Sequence, residues 1–299
     1  MKLNSVPLEP FNHPLLLKHN VSVNIKRDDL LHAVVSGNKL FKLMFNLNEF
    51  KRLHKKTLIT FGGAYSNHLH ATAFMGKELG VQTVGIIRGE QLLPLNPTLK
   101  DCTDWGMILE PVSRGDYRQK QASADIQNII NKYSSAYIVP EGGANELGVL
   151  GAAKILEGID QKKFDTVVVA CGTGVTMAGI VSACEPHLRV IGMPALKAEK
   201  WMASEIQGWL DVVGCSNKNW MVEYQYHFGG YGKTKPELLQ FIEEMEQQYQ
   251  LLLDPIYTGK AFYGLLKMIE HGEVVSGSRV LFIHSGGLQG SRGFLVGRA

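Results

Sequence analysis

Only four of the 299 residues are cysteine (Cys102, Cys171, Cys184 and Cys215), and no two form a CxxC pair. That argues against a zinc cluster and against a disulfide framework, and it suits a reducing cytoplasm, the location expected here. No apolar run approaches the ~20 residues that cross a bilayer. The opening stretch "MKLNSVPLEPFNHPLLL" is broken by prolines, unlike the apolar core of a secretory signal. Neither sign of charge dominates: 31 basic residues stand against 28 acidic ones, for a net +3, without a long basic stripe to follow a phosphate backbone. Nucleic acid is therefore not an expected partner. His68 and His70 lie two apart and cannot share a helix face, so no metal site is expected. Internal repeats, low-complexity tracts and a proline- or serine-rich linker are also missing, and the polar stretch "GEQLLPLNPTLKD" at 89–101 reads as a loop within the first half.

What is present is ample core material, with 45% hydrophobic and 20% charged residues. Short β-branched runs recur: "TLITF" at 57, "VQTVGII" at 81, "AYIVP" at 136, "DTVVVAC" at 165, "RVIGM" at 189 and "RVLFIH" at 279. Such runs read as strands buried on both faces. Between them lie helical patterns, among them "SNHLHATAFMGKELG" from 66, "QKQASADIQNIINKYS" from 119, "ANELGVLGAAKIL" from 144 and "KPELLQFIEEMEQQYQ" from 235. Strand and helix alternating in this way predict an α/β protein with mostly parallel sheets.

Three glycine turns follow predicted strands. "VVVACGTGVTMAGIVSA" at 167–183 runs from a strand through Gly172-Thr173-Gly174 into a helix of small residues. Backbone amides converging there, with the helix dipole behind them, would cradle a phosphate; a plain strand-to-helix turn needs the same glycines, and the residues alone leave both open. The spacing to Gly179 is neither that of a dinucleotide fingerprint nor that of a Walker loop, which disfavours a nicotinamide-dependent dehydrogenase. "TFGGAYSNHLHATA" at 60–73 presents Ser66 and Asn67 at a helix start, where Ser66 is a natural N-cap and free amides also suit a carboxylate. "FIHSGGLQG" at 282–290 repeats the pattern. Since ligands of parallel sheets bind beyond the carboxyl ends of strands, the three turns mark one crevice. Tyr257 and Thr258, in "DPIYTGKAFYGLL", open a further helix, where a tyrosine is more often packed than catalytic.

"SGNKLFKL" at 36–43 places Lys39 and Lys42 three apart. Solvated lysines are the commoner case. A lysine near a dry crevice with a lowered pKa can instead join a carbonyl compound, and a phosphate cradle plus such an amine is what pyridoxal phosphate needs.

Together "KRDDL" at 26, "SGNKLFKL" at 36, "GGAYSNH" at 62, "EGGANELGVLG" at 141, "GTGVTMAG" at 172, "YTGKAFYGL" at 257 and "HSGG" at 284 resemble the 1-aminocyclopropane-1-carboxylate deaminase and D-cysteine desulfhydrase family, from about residue 7 to about 295. The resemblance implies a fold type II enzyme dependent on pyridoxal 5'-phosphate, with two open twisted, mostly parallel sheets. A large cofactor-binding domain (1–44 and 147–299) would hold a smaller carboxylate-binding domain (45–146) inserted in it. Lys39, directly after asparagine, would carry the cofactor, and Lys42 would be an ordinary neighbour. Asn67 would meet the cofactor's phenolic oxygen, and the turn Gly172, Thr173, Gly174, Val175 and Thr176 its phosphate. Val175 replaces a smaller residue common there, without consequence if its amide does the binding. Ser66, with the amides of Asn67 and His68, would take the substrate carboxylate. Tyr257 and Tyr231 would stand at the substrate. A homodimer is expected on the same ground.

Two departures bear on the reaction. Deaminase members carry glutamate after the catalytic tyrosine, where this chain has Thr258, while Ser285 resembles the hydroxyl with which desulfhydrase members meet the ring nitrogen. A hydroxyl stabilises a pyridinium less than a carboxylate does, so the ring is expected to be the weaker electron sink. Thiol elimination needs less of a sink than opening a cyclopropane, because a thiol of pKa ~8.5 leaves readily. The expected activity is β-elimination from a small amino acid, D-cysteine giving pyruvate, ammonia and hydrogen sulfide. The alternatives are ring-opening deamination to 2-oxobutanoate and a non-catalytic binding protein.

Overall fold

The computed structural model describes residues 3–90, 92–199 and 201–295. Among these residues ten strands form two sheets: β1 (Leu8–Phe11), β2 (Ser22–Lys26), β3 (Thr57–Gly62), β4 (Gln82–Arg88), β5 (Ile108–Val112), β6 (Ala136–Val139), β7 (Thr166–Cys171), β8 (Arg189–Pro194), β9 (Trp220–Val222) and β10 (Arg279–Ile283). The six-stranded sheet runs β1-β2-β10-β7-β8-β9 and the four-stranded sheet β5-β4-β3-β6. Every pairing is parallel except that of β1 with β2. The smaller sheet is made wholly from the chain between β2 and β7, so it is inserted within the larger unit, and two passes of unbroken chain join the two without a linker of distinctive composition.

The central strands β3 and β7 are buried at every position, which is why they read as continuous apolar runs. Helices cover both faces of the large sheet. On one side Val149, Ala152, Met177, Ile180 and Ile206 pack against Val167 and Val169; on the other, Phe262, Leu265 and Ile269 pack against Val168 and Phe282. The helix pattern from 66 appears as Asn67–Leu79, capped by Ser66 and closed by left-handed Gly80. That from 144 begins at Glu146, where the Asn145 side chain accepts from Gly148 N at 2.8 Å. The stretch from 119 is not one helix: Gln119 ends the helix Arg114–Gln119, Lys120–Ala122 form a 3-10 turn, and Ser123 caps a fresh helix over Ala124–Asn131.

The loop expected over 89–101 needs correction. Its last residues open a helix, Pro97–Asp104, capped by Asn96, whose side chain accepts from Leu99 N at 3.0 Å; Gln91 lies outside the described residues. Asparagine followed by proline is an N-cap with proline at the first helical position, a helix start that resembles turn composition.

Candidate active site

The helix Asn38–Arg52 starts against the end of β10. Gly37 has φ +64°, and a β-carbon there would lie 1.9 Å from the Ser285 carbonyl oxygen, so only glycine lets this chain reversal touch the "HSGG" turn. Asn38 N donates to that same carbonyl at 3.2 Å. From the opposite side Gly151 admits the helix Glu146–Ala153 onto the Phe41 carbonyl, where a β-carbon would sit 2.1 Å away. Gly143, where a β-carbon would meet Lys42 Cβ at 3.2 Å, and Gly151 are the glycines of "EGGANELGVLG" that serve the seat of the lysine helix.

Lys39 and Lys42 both face a cavity of about 350 Å³ at the carboxyl ends of β3, β4, β7 and β10. Lys39 Nζ donates to Asn38 Oδ1 at 2.8 Å and stands 5.9 Å from the centre of the Tyr257 ring. Burial lowers its pKa to about 8, with Asp254 pulling the other way. Lys42 is no surface charge. It is 3% exposed, its Nζ donates to the Gly142 carbonyl at 3.2 Å, and burial, then the charge of Lys39, push its pKa well below the ordinary lysine range. The three-residue spacing puts both amines on one helix face, a signal present in the sequence.

Of the residues singled out from sequence, Lys39, Ser66, Asn67, His68, Gly172, Thr173, Thr176, Tyr231, Tyr257 and Ser285 line this cavity. Gly174 and Val175 stand just behind, forming the start of the helix Val175–Ala183. Among the described residues that helix has no side-chain cap, and the Thr173 hydroxyl beside it is buried without a partner. Asn38 Nδ2 reaches the Thr176 hydroxyl at 2.8 Å, tying the lysine loop to this turn. Thr258 is placed differently. It is fully buried outside the cavity wall, its hydroxyl donating to Asp254 Oδ1 at 2.7 Å and accepting from Asp254 N at 3.0 Å. Asp254, itself buried, also accepts from the backbone N–H groups of Ile256, Tyr257 and Thr258, so it shapes the turn that aims Tyr257.

Tyr257 and Tyr231 meet edge-on with ring centres 6.1 Å apart. Burial, then Tyr231, hold the Tyr257 phenol proton well above the usual range, so this hydroxyl is a proton donor rather than a phenolate. A side chain at 172 would press on the ring, since a β-carbon on Gly172 lies 3.1 Å from Tyr257 Cε1. His68 Nε2 pairs with the Thr60 hydroxyl at 3.0 Å. Because that hydroxyl donates to the Val139 carbonyl at 2.8 Å, the histidine must carry its proton on Nε2, leaving Nδ1 a bare acceptor without a partner. Burial and the two lysines push its pKa down to about 3, so it is neutral. The Ser66 oxygen accepts from Leu69 N at 3.2 Å, which leaves its proton free to point into the cavity.

Sequence reasoning missed several residues. Gln289, from beyond β10, donates through Nε2 to Asn67 Oδ1, and Thr98 donates to its Oε1 at 2.8 Å. Arg88 and Glu141 line the cavity wall, and Lys120 Nζ holds Glu141 at 2.7 Å. Glu141 and Gln289 fall inside "EGGANELGVLG" and "FIHSGGLQG", which were read for their glycines, and nothing local in the sequence marks Arg88.

The donor set fits pyridoxal phosphate. A buried amine with a lowered pKa would take the aldehyde, while the uncapped helix start with the orphaned Thr173 hydroxyl would take the phosphate. Cysteine chemistry does not compete, since burial pushes Cys102, Cys171 and Cys184 up to about 12.

A protein of Pyrococcus horikoshii, provisionally named a 1-aminocyclopropane-1-carboxylate deaminase, is 31% identical over 306 residues, covering 97% of this chain and 94% of its own. An Arabidopsis thaliana protein named bifunctional D-cysteine desulfhydrase/1-aminocyclopropane-1-carboxylate deaminase, mitochondrial, is 31% identical over 95% of this chain and 76% of its own. The crystal structure of a 1-aminocyclopropane-1-carboxylate deaminase homologue superposes with a TM-score of 0.86 at 28% identity, covering 98% of this chain and 92% of that one. The family model described as pyridoxal-phosphate dependent enzyme matches residues 6–286, from before β1 to the turn after β10 that seats the lysine helix, and this chain belongs to that family.

Proposed function

We propose that this enzyme eliminates the β-substituent of a small amino acid, with D-cysteine, giving pyruvate, ammonia and hydrogen sulfide, as the reference substrate. The observation that carries the reading is an amine of pKa about 8 facing a protonated phenol across one cavity, with the Ser285 side of the wall offering a hydroxyl and not a carboxylate. Bound there, pyridoxal phosphate would supply the electron sink that makes the substrate's α-hydrogen acidic. Lys39 holds the cofactor and then, as the free amine, takes the α-proton. Tyr257 protonates the departing sulfur. Ser66 and the amides of Asn67 and His68 orient the carboxylate at the start of the helix Asn67–Leu79.

Gly172 to Thr176 receive the phosphate, while from the lysine helix Lys42 offers N–H donors on the same cavity wall and Asn38 fixes the Thr176 hydroxyl. Ser285, on the cavity wall, is the hydroxyl for the ring nitrogen, because Thr258 is already bound to Asp254. Tyr231 closes the substrate side. Large and small domains of residues 1–44 with 147–299 and 45–146, a homodimer, and a reducing, cytoplasmic setting for four free cysteines complete the reading. Among the described residues no helix is long and apolar enough to cross a membrane.

Ring-opening deamination is the second reading, favoured by the bifunctional name of the Arabidopsis relative. Keto-acid release from both cysteine enantiomers, assayed beside 1-aminocyclopropane-1-carboxylate, separates the two. Release from neither, with the cofactor trapped on Lys39, would leave a binding protein without turnover.

A further inference from the structure

The catalytic cavity continues past Gly63 and Tyr231 into an outer hollow of about 440 Å³. Arg88 belongs to both walls, whereas Lys39, Ser66, Asn67 and His68 line only the inner one. As the last residue of β4, Arg88 leaves the sheet at its ligand-binding edge. The pairing of Gly62 with Ile87 sets it beside Gly63, and its Nη2 lies 3.3 Å from where a β-carbon on that glycine would be. Arg114 joins it in the outer hollow, two residues after Val112, which is the register partner of Arg88.

Both side chains are exposed, and Arg88 stands 5.9 Å from the centre of the Tyr117 ring. Carboxylates pair with Arg27, Arg52, Arg279 and Arg292, and among the described residues none pairs with Arg88 or Arg114. The acid nearest to hand on the cavity wall, Glu141, is held by Lys120 at 2.7 Å. The mouth therefore carries uncompensated positive charge in a concave setting, where field lines concentrate and anions collect. A guanidinium fork matches carboxylate, sulfonate and phosphate oxygens in pairs.

We propose that Arg88, assisted by Arg114, is an anion subsite that reads the far end of the substrate's side chain, so that the enzyme prefers amino acids whose β-substituent ends in a negatively charged group. The inference rests on the elimination reading for its orientation: the α-carboxylate goes to the inner turn at Ser66–His68, which points the β-substituent outward past Gly63 toward Arg88. The chemistry is unchanged, with the α-proton going to Lys39 and the β-substituent leaving with the electron pair of its bond to Cβ.

The test is ligand binding to the cofactor-loaded enzyme, read from the absorbance change of the bound cofactor and therefore independent of turnover. Matched pairs are compared in both enantiomers: O-phosphoserine with serine, and S-sulfocysteine with S-methylcysteine. A charge-assisted contact should favour the anionic member about 10- to 100-fold in Kd. The preference should collapse in R88Q, fall in part in R114Q, and survive in part in R88K. Equal affinity within each pair would overturn the subsite. So would a loss in R88Q that is the same for both members, which would mean that Arg88 binds the α-carboxylate. Tight, Arg88-dependent binding of the anionic ligands with no keto acid formed from any of them would instead sink the elimination reading and leave the subsite standing.

Discussion

The titration of Lys39 is the most exposed consequence of this structure. Its pKa of about 8, against 10.5 for an ordinary lysine, comes first from burial. At pH 7.5 that leaves about a quarter of Lys39 as free amine, against about one part in a thousand for a solvated lysine, an advantage of roughly two hundredfold in nucleophile concentration. Cofactor-free protein should be mixed with limiting pyridoxal phosphate at pH values between 6 and 10, quenched with borohydride, and the labelled lysines quantified by peptide mapping. Labelling at position 39 should rise about tenfold per pH unit up to about 8 and then level off, while surface lysines continue to climb past pH 10. Lys42 makes this a sharp test, because burial and the charge of Lys39 push its pKa well below the ordinary lysine range as well. Free-amine availability alone would admit Lys42 too, whereas its hydrogen bond to Gly142 and its place one turn further along the helix predict that Lys39 is taken. Labelling concentrated on Lys42, or a Lys39 profile that climbs like a surface lysine, would refute the reasoning. Linkage supplies a second readout. The unfolded lysine binds the proton that the folded one has shed, so stability of the cofactor-free protein should rise as pH goes from about 8 to 10.5. K39M should then be more stable than the parent below pH 8, by at most about 3 kcal/mol.

Other expectations are as specific. G37A forces a side chain into left-handed backbone and against the Ser285 carbonyl, so it should cost about 3 kcal/mol or more in urea unfolding; a loss under about 1 kcal/mol would mean the lysine loop is not seated as described. K42M keeps the volume but removes a buried amine, and should weaken equilibrium retention of pyridoxal phosphate about 10- to 100-fold while reductive trapping still marks Lys39. T258E would press a second carboxylate against Asp254, whose two oxygens already take four donors. It should lower stability by about 2 kcal/mol or more without raising ring-opening activity, measured by denaturation and 2-oxobutanoate release. Q289L frees the Asn67 side chain and should shift the absorbance of the bound cofactor while leaving unfolding within about 1 kcal/mol of the parent.

The sequence alone determined the class of fold, because strands buried on both faces need uninterrupted β-branched runs, and "TLITF", "DTVVVAC" and "RVLFIH" became the centres of the two sheets. It also located the three glycine turns and the lysine loop, since backbone reversals at strand ends demand residues without a β-carbon. The strands "LEPF", "SVNIK", "ILEPV" and "WMV", all but the second at sheet edges, were not legible, being short and partly exposed, so that their pairing partners rather than their composition define them. Only the tertiary structure decided that Lys42 is buried beside Lys39, that Thr258 is bound to Asp254, and that Gln289 holds Asn67. It also brought Arg88 and Arg114 to one mouth, neither paired with a carboxylate among the described residues. Each of these facts depends on which side chains from distant segments share a small volume, and the desolvation, pairing or isolation that results is set by the packed neighbours and not by the residues next in the chain.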